Sequence, residues 1–223
     1  NLSEYMERTP VEKVKAKWDE LKQAAVLDNA LALSLYHQKE FKKNYIEHYL
    51  LLEKDFKETF DYVSVEPDNY KTYSPIYLKI LLSIGSEIDI MKKFLAKELD
   101  SNFSCEESHK VILSKDKNFK ELEVKLLSDN TIIKPWCYAK EPDWWTIYNE
   151  VKHNRLEPAL KFDSSRKYYQ YANLESVLHS LAALYSLEMY SYRIISQKCN
   201  ETPFVPTIKT IFCMNNSFWK GIE

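Results

Sequence analysis

The chain is dominated by apolar positions at helical spacing. Thr9-Pro10-Val11-Glu12 reads as a helix start, with Thr9 as cap, Pro10 in the first turn and Glu12 three residues after the cap. The helical pattern then continues to about Phe60 without proline or glycine. That is too long for one ordinary helix, and Asp28-Asn29 is the natural break. Phe60-Asp61-Tyr62-Val63-Ser64-Val65 alternates and stops at Glu66-Pro67-Asp68-Asn69, which predicts a short strand or extended arm. Ser74 caps a second helix with Pro75 at its first position. It runs through Leu78, Leu81, Leu82 and Ile88 to about Leu99, and its centre is apolar nearly all round, as in a helix buried on several sides.

Between Asp100 and Trp136 the helical period weakens. Leu122-Glu123-Val124-Lys125-Leu126 alternates, Ser128-Asp129-Asn130 supplies turn residues, and Thr131-Ile132-Ile133-Lys134 returns as a partner strand, predicting a small hairpin beside a bundle. Pro142-Asp143-Trp144-Trp145 opens a third helix that ends before Pro158. A fourth runs from about Tyr171 to Gln197, with Leu174, Leu178, Leu181, Leu184 and Glu188 at helical spacing. The stretch from Ile208 to Met214 reads as extended. No repeat or linker divides the 223 residues, so a single domain over 1–223 is expected.

Composition sharpens this picture. Two glycines, Gly85 and Gly221, are too few for the tight turns of a many-stranded β protein, and 16 tyrosines with 5 tryptophans point to an aromatic core whose polar tips need partners. A net charge of -2 gives no overall basic face. Cys105, Cys137, Cys199 and Cys213 are widely spaced with no CxxC pair, so neither a zinc site nor a disulfide framework is signalled, and no cofactor is expected. No apolar run reaches the length of a membrane span, and Asn1-Leu2-Ser3-Glu4 lacks a basic-then-apolar signal. The expectation is a cytoplasmic protein that makes no membrane contact.

The chemistry worth following lies on the third helix. At 100° per residue Trp144, Tyr148, Val151 and Arg155 share one face, while Asn149 and His153 share nearly the opposite one. Lys152 and Arg155 flank the histidine, and Arg166 and Lys167 follow after a loop, giving a basic neighbourhood in a near-neutral chain. A neutral imidazole is the usual general base near pH 7, and adjacent cations can hold a phosphate or its developing charge. In this scheme His153 is the acid/base, Asn149 positions phosphate or water, and Lys152 and Arg155 stabilise charge. Glu87, in the apolar run of the second helix, needs a partner and is placed to orient His153, to pair with Arg155 or Lys152, or to tie two helices together in a structural ion pair. Glu175 and His179 also share a helix face, and with His37, His48 and His109 they read as solvated or core-edge residues.

At these segments the chain resembles the HEPN superfamily of helical-bundle proteins. The resemblance rests on Thr72-Tyr73-Ser74-Pro75 leading to Ser86-Glu87-Ile88, on Trp144 through Arg155, and on Ala172-Asn173-Leu174, and it is strongest over 60–197. The nearest pattern is the bacterial branch with a Tyr-Asn, two residues, Lys-His segment. The resemblance implies a mainly α, HEPN-like up-down bundle of long helices with a small β-hairpin. It further implies metal-independent endoribonuclease chemistry, a role in toxin-antitoxin or phage-defence systems with an antitoxin or other partner protein, and a homodimer whose motifs face each other. The HEPN signature is an arginine, four to six residues, then a histidine, with a polar residue straight after the arginine. His153 and Asn149 match, whereas the arginine position holds Tyr148, which removes a bidentate phosphate partner. RNA or a nucleotide is therefore the expected partner. The alternatives are a non-catalytic interaction or dimerisation module and a nucleotide sensor.

Overall fold

The computed structural model describes residues 15–23, 38–100, 102, 108–138, 141–198, 208–215 and 218. The predicted start at Thr9, the break at Asp28-Asn29, His37, Cys105 and Cys199 lie outside them. A helical stretch covers 15–23, and a π-helical segment, Lys42–Ile46, runs directly into α1, Glu47–Glu58. The long helix α2, Pro75–Leu99, is capped as its sequence requires, with the Ser74 hydroxyl accepting from the Tyr77 amide at 3.2 Å and Pro75 in the first turn. Then follow α3, Ser108–Lys115, the strands β1, Val124–Leu126, and β2, Ile132–Ile133, helix α4, Asp143–Asn154, helix α5, Leu174–Lys198, and strand β3, Phe212–Met214.

The architecture is mainly α with a small antiparallel sheet, and α5 is its axis. Val177, Leu181, Ala182, Ala183, Leu184 and Leu187 are fully buried, so apolar side chains meet neighbours on every side of this helix, and α2 packs along it. Buried serines on α5 satisfy themselves within the helix: Ser180, Ser186 and Ser191 donate to the carbonyls of Val177, Ala183 and Leu187. Ser186 also accepts from the Trp136 indole at 2.9 Å, which fixes the segment before α4 against the axis. Among the described residues no helix is long and apolar enough to cross a membrane.

The predicted hairpin is present, with Asn130 at φ 65° in the turn and the Asp129 carboxylate accepting from the Thr131 amide at 2.8 Å. It gains a third strand. β3 pairs antiparallel with β1, Lys125 opposite Cys213, so the sheet order is β2-β1-β3. The anchor of this C-terminal segment is Glu53 on α1. Its buried carboxylate accepts from the Tyr49 hydroxyl at 2.6 Å, the Thr210 hydroxyl and the Ile211 amide at 3.2 Å. Charge-assisted bonds of this kind are about twice as strong as neutral ones. Glu53→Gln is expected to destabilise the protein by about 1 kcal/mol, with faster amide exchange at Phe212–Met214. Exchange unchanged in the variant would separate β3 from this anchor.

Two regions depart from the sequence pattern. Phe60 to Val65 forms no strand: Thr59–Asp61 is a 3₁₀ turn continuing α1, the Thr59 hydroxyl donates to the Phe56 carbonyl, and Phe60 packs edge-on against Phe56 with ring centroids 5.0 Å apart. The aromatic alternation there serves a helical i, i+4 contact, and Tyr62 is 88% exposed. Between Asp100 and the sheet, α3 and a 3₁₀ turn at Lys117–Glu121 replace featureless chain. In α3 the one fully buried apolar side chain is Ile112, with Val111 and Leu113 packed beside it at the edge of the core, so its periodic signal is weak.

Candidate functional site

The third predicted helix is α4, and its apolar face is the one expected: Trp144, Ile147, Tyr148 and Val151 are buried. The Trp144 indole donates to the Pro135 carbonyl at 3.0 Å, and Trp145 lies under the Lys92 ammonium, 3.4 Å from its ring centroid. Tyr148 packs on Gly85 of α2 so closely that a Cβ on Gly85 would fall 2.2 Å from a ring carbon. Position 148 thus faces a helix interface. A guanidinium at this position would be pressed into the core.

Asn149 is half-buried, while Lys152, His153 and Arg155 are exposed. Arg155 leaves the buried face on which its spacing placed it, because α4 ends at Asn154 and the chain turns away. The turn is an ordered, hairpin-like loop in which the Tyr169 amide donates to the Arg155 carbonyl, Tyr168 to Glu157, and Ala159 to Arg166. Arg155 is thereby brought beside the segment that follows Arg166 and Lys167, while the Lys152 ammonium lies 5.6 Å from the Tyr148 ring centroid. Among the described residues these four cations have no ion-pair partner. Lys161 by contrast is bound to Glu150 at 2.5 Å.

Glu87 stands elsewhere. It is buried on α2 and faces α1, where its carboxylate meets the His48 imidazole at 3.5 Å, so the orienting role toward His153 does not arise from this arrangement. Burial raises its pKa, and His48 partly offsets this. The carboxylate whose charge reaches His153 is Glu150, whose pKa is lowered mainly by its hydrogen bond from Lys161, then by Asn154 and by the fields of Lys161 and His153.

The structure also builds a cleft that sequence spacing did not assemble, at the N-terminal ends of α4 and α5. Its volume is about 190 Å³. Lys71, Tyr138, Asp143, Glu175 and His179 supply its polar groups, and Trp144, Phe162 and Tyr171 its aromatic wall. The start of α5 is fixed to the preceding segment by the Leu174 amide donating to the Thr72 carbonyl and the Glu175 amide to the Tyr70 carbonyl, and the Asn173 side-chain oxygen Oδ1 caps the Ser176 amide at 3.0 Å. Lys71 and Glu175 pair at 2.5 Å. Burial lowers the His179 pKa, with Glu175 and Asp143 opposing and Lys71 reinforcing, so the imidazole is neutral near pH 7 and offers one donor and one acceptor. Burial, aided by Asp143 and Glu175, pushes the Tyr138 hydroxyl up to about 12, keeping it a donor. The Glu175–His179 spacing was the visible trace of this cleft. Asp143, Lys71 and Phe162 come from distant parts of the chain.

Among the described residues no three His, Cys, Asp or Glu side chains converge as metal ligands would. No family model, curated protein or solved structure matches the chain.

Proposed function

We propose that the protein contacts RNA or a nucleotide through the cationic strip at the end of α4 and in the loop after it, on a helical scaffold of HEPN-like design. The observation that carries this reading is the set of four cations, Lys152, Arg155, Arg166 and Lys167, none of them within ion-pair distance of a carboxylate among the described residues, in an otherwise near-neutral protein. Residues 150–167 hold five Lys or Arg against three Asp or Glu. Cations in the last turn of α4 also offset the negative end of the helix, but those on the loop have no such role. Phosphates are the ligands such unpaired cations attract, and His153 and Asn149 add hydrogen-bonding groups along the same helix.

Fluorescence anisotropy with a labelled single-stranded RNA tests the reading. Binding should weaken with salt, with a log–log slope of about -2 to -3 for three or four phosphate contacts. Lys152→Glu with Arg155→Glu should lower affinity at least about tenfold and flatten that slope. Affinity indifferent to salt and to this double variant removes the proposal. Incubation of the same RNA with chelator extends the test to chemistry: cleavage lost in His153→Ala makes His153 the acid/base of a metal-independent ribonuclease, and intact RNA leaves a binding protein.

One observation favours a second reading, a non-catalytic interaction or dimerisation module. Leu156 and Leu160 on the same loop are 64% and 79% exposed, which suits a protein partner or a second copy. Sedimentation of the protein alone separates the two, since dimerisation lost in Leu160→Ser assigns the loop to self-association.

A further inference from the structure

We propose that the cleft between the starts of α4 and α5 receives a nucleobase bearing an exocyclic amino group. This deepens the RNA-contact reading and rests on it for the source of the base.

Size comes first. A cavity of about 150 Å³ holds a benzene-sized ring, so 190 Å³ suits one ring system with a few substituents and is too small for a folded partner segment. The walls come next. Phe162 and Tyr171, stacked on each other at 4.8 Å with planes 27° apart, form the accessible aromatic wall, and Trp144, 2% exposed, closes the floor. Aromatic surfaces of this kind are the usual platform for unpaired bases.

Charge then selects the class of ring. Asp143 and Glu175 are acceptors, Lys71 neutralises one of them, and His179 is neutral, so the side chains carry about one net negative charge, offset in part by the positive N-terminal ends of α4 and α5. An amino group entering the cleft would find the carboxylate oxygens of Asp143 and Glu175 as acceptors. The neutral imidazole and the Tyr138 hydroxyl complete a donor and acceptor edge of the kind that reads a base.

Continuity with the cationic strip supplies the route. Phe162 and Tyr171 lie on the chain segment that starts at Arg155 and carries Arg166 and Lys167, and the Arg166 guanidinium sits 5.3 Å from the Tyr171 ring centroid. Arg166 thus links the strip to the aromatic wall of the cleft, and a strand held by the strip reaches the cleft along this segment. Phosphates stay on the strip and one base turns into the cleft.

The test compares nucleosides that differ at one group: cytidine against uridine and adenosine against inosine, amino against oxo. At millimolar concentration the amino member of at least one pair should raise the melting temperature by about 2 °C or more, with the oxo member inert. The shift should vanish in Asp143→Asn and in His179→Gln, each checked for native circular dichroism. Equal response to both members of both pairs, no response, or a response retained in both variants overturns the proposal. Anisotropy with oligocytidylate and oligouridylate separates it from its premise. Salt-dependent RNA binding without base preference sinks the cleft and leaves the strip. Amino-selective nucleoside binding with no RNA affinity leaves a nucleoside-binding cleft and sinks the RNA reading.

Discussion

Replacing Gly85 with alanine is expected to destabilise the protein by about 2 kcal/mol, although alanine is the better helix former. In an exposed helix the same change would gain about 1 kcal/mol. Here the new methyl carbon would lie 2.2 to 2.5 Å from three carbons at the root of the Tyr148 ring. These atoms cannot swing aside as a flexible chain end could, because Tyr148 is 4% exposed and its ring also meets Trp145 at 5.1 Å. Either α4 moves off α2 or the ring leaves its rotamer, and both disturb a close-packed interface. Urea unfolding should show a lower midpoint with an unchanged slope. Pairing Gly85→Ala with Tyr148→Leu should cost less than the sum of the two single changes, since the smaller side chain makes room for the methyl group. Strict additivity would show that the close approach is not what position 85 is selected for. Because α4 carries Asn149, Lys152 and His153, the same variant should also weaken RNA binding if the strip acts as proposed.

Glu188→Met should do the opposite and stabilise the protein at neutral pH by about 1–3 kcal/mol, the usual cost of a buried polar group without a partner. Glu188 is fully buried on α5, and neither carboxylate oxygen has a hydrogen-bond partner. Burial first, and the charge of Glu87 second, hold its pKa well above the ordinary 4.5. A carboxyl group whose folded pKa is raised contributes fully below the unfolded value, and that contribution is lost as pH rises toward the folded one. The gain from Glu188→Met should therefore be smallest at pH 4, where it relieves only the unpartnered neutral carboxyl, grow through the neutral range and level off once the folded pKa is passed. Glu87, shifted in the same direction and facing His48, is present in both proteins and largely cancels in the comparison. Melting curves from pH 4 to 8 give the answer. A destabilised Met variant, or a difference independent of pH, would mean that the carboxyl group makes an interaction the packing does not reveal.

The long helices were legible because their signals are local. Ser74-Pro75 fixes the start of α2, Pro142-Asp143 the start of α4, and the leucine spacing from Leu174 marks α5, so each needs only its own residues to be read. The turn at Asp129-Asn130 was legible for the same reason. What failed were patterns whose meaning depends on a neighbour. Phe60 looked like a strand residue until Phe56 was seen beneath it, and Glu188 looked like one more position on an apolar stripe. Glu87 could be recognised as needing a partner, but the choice of His48 on α1 follows from how two helices cross.

Periodicity and capping therefore determined the long helices, the hairpin, the mainly α class and the basic character of residues 152–167, because each follows from a side chain and its near neighbours along the chain. Only tertiary structure decided that Tyr148 occupies a notch at Gly85, that β3 completes the sheet through Glu53, and that Lys71, Asp143, Phe162 and His179 line one cleft. Those residues lie as far as 108 positions apart in sequence. Their meeting is set by packing of helices around α5, which no local window contains.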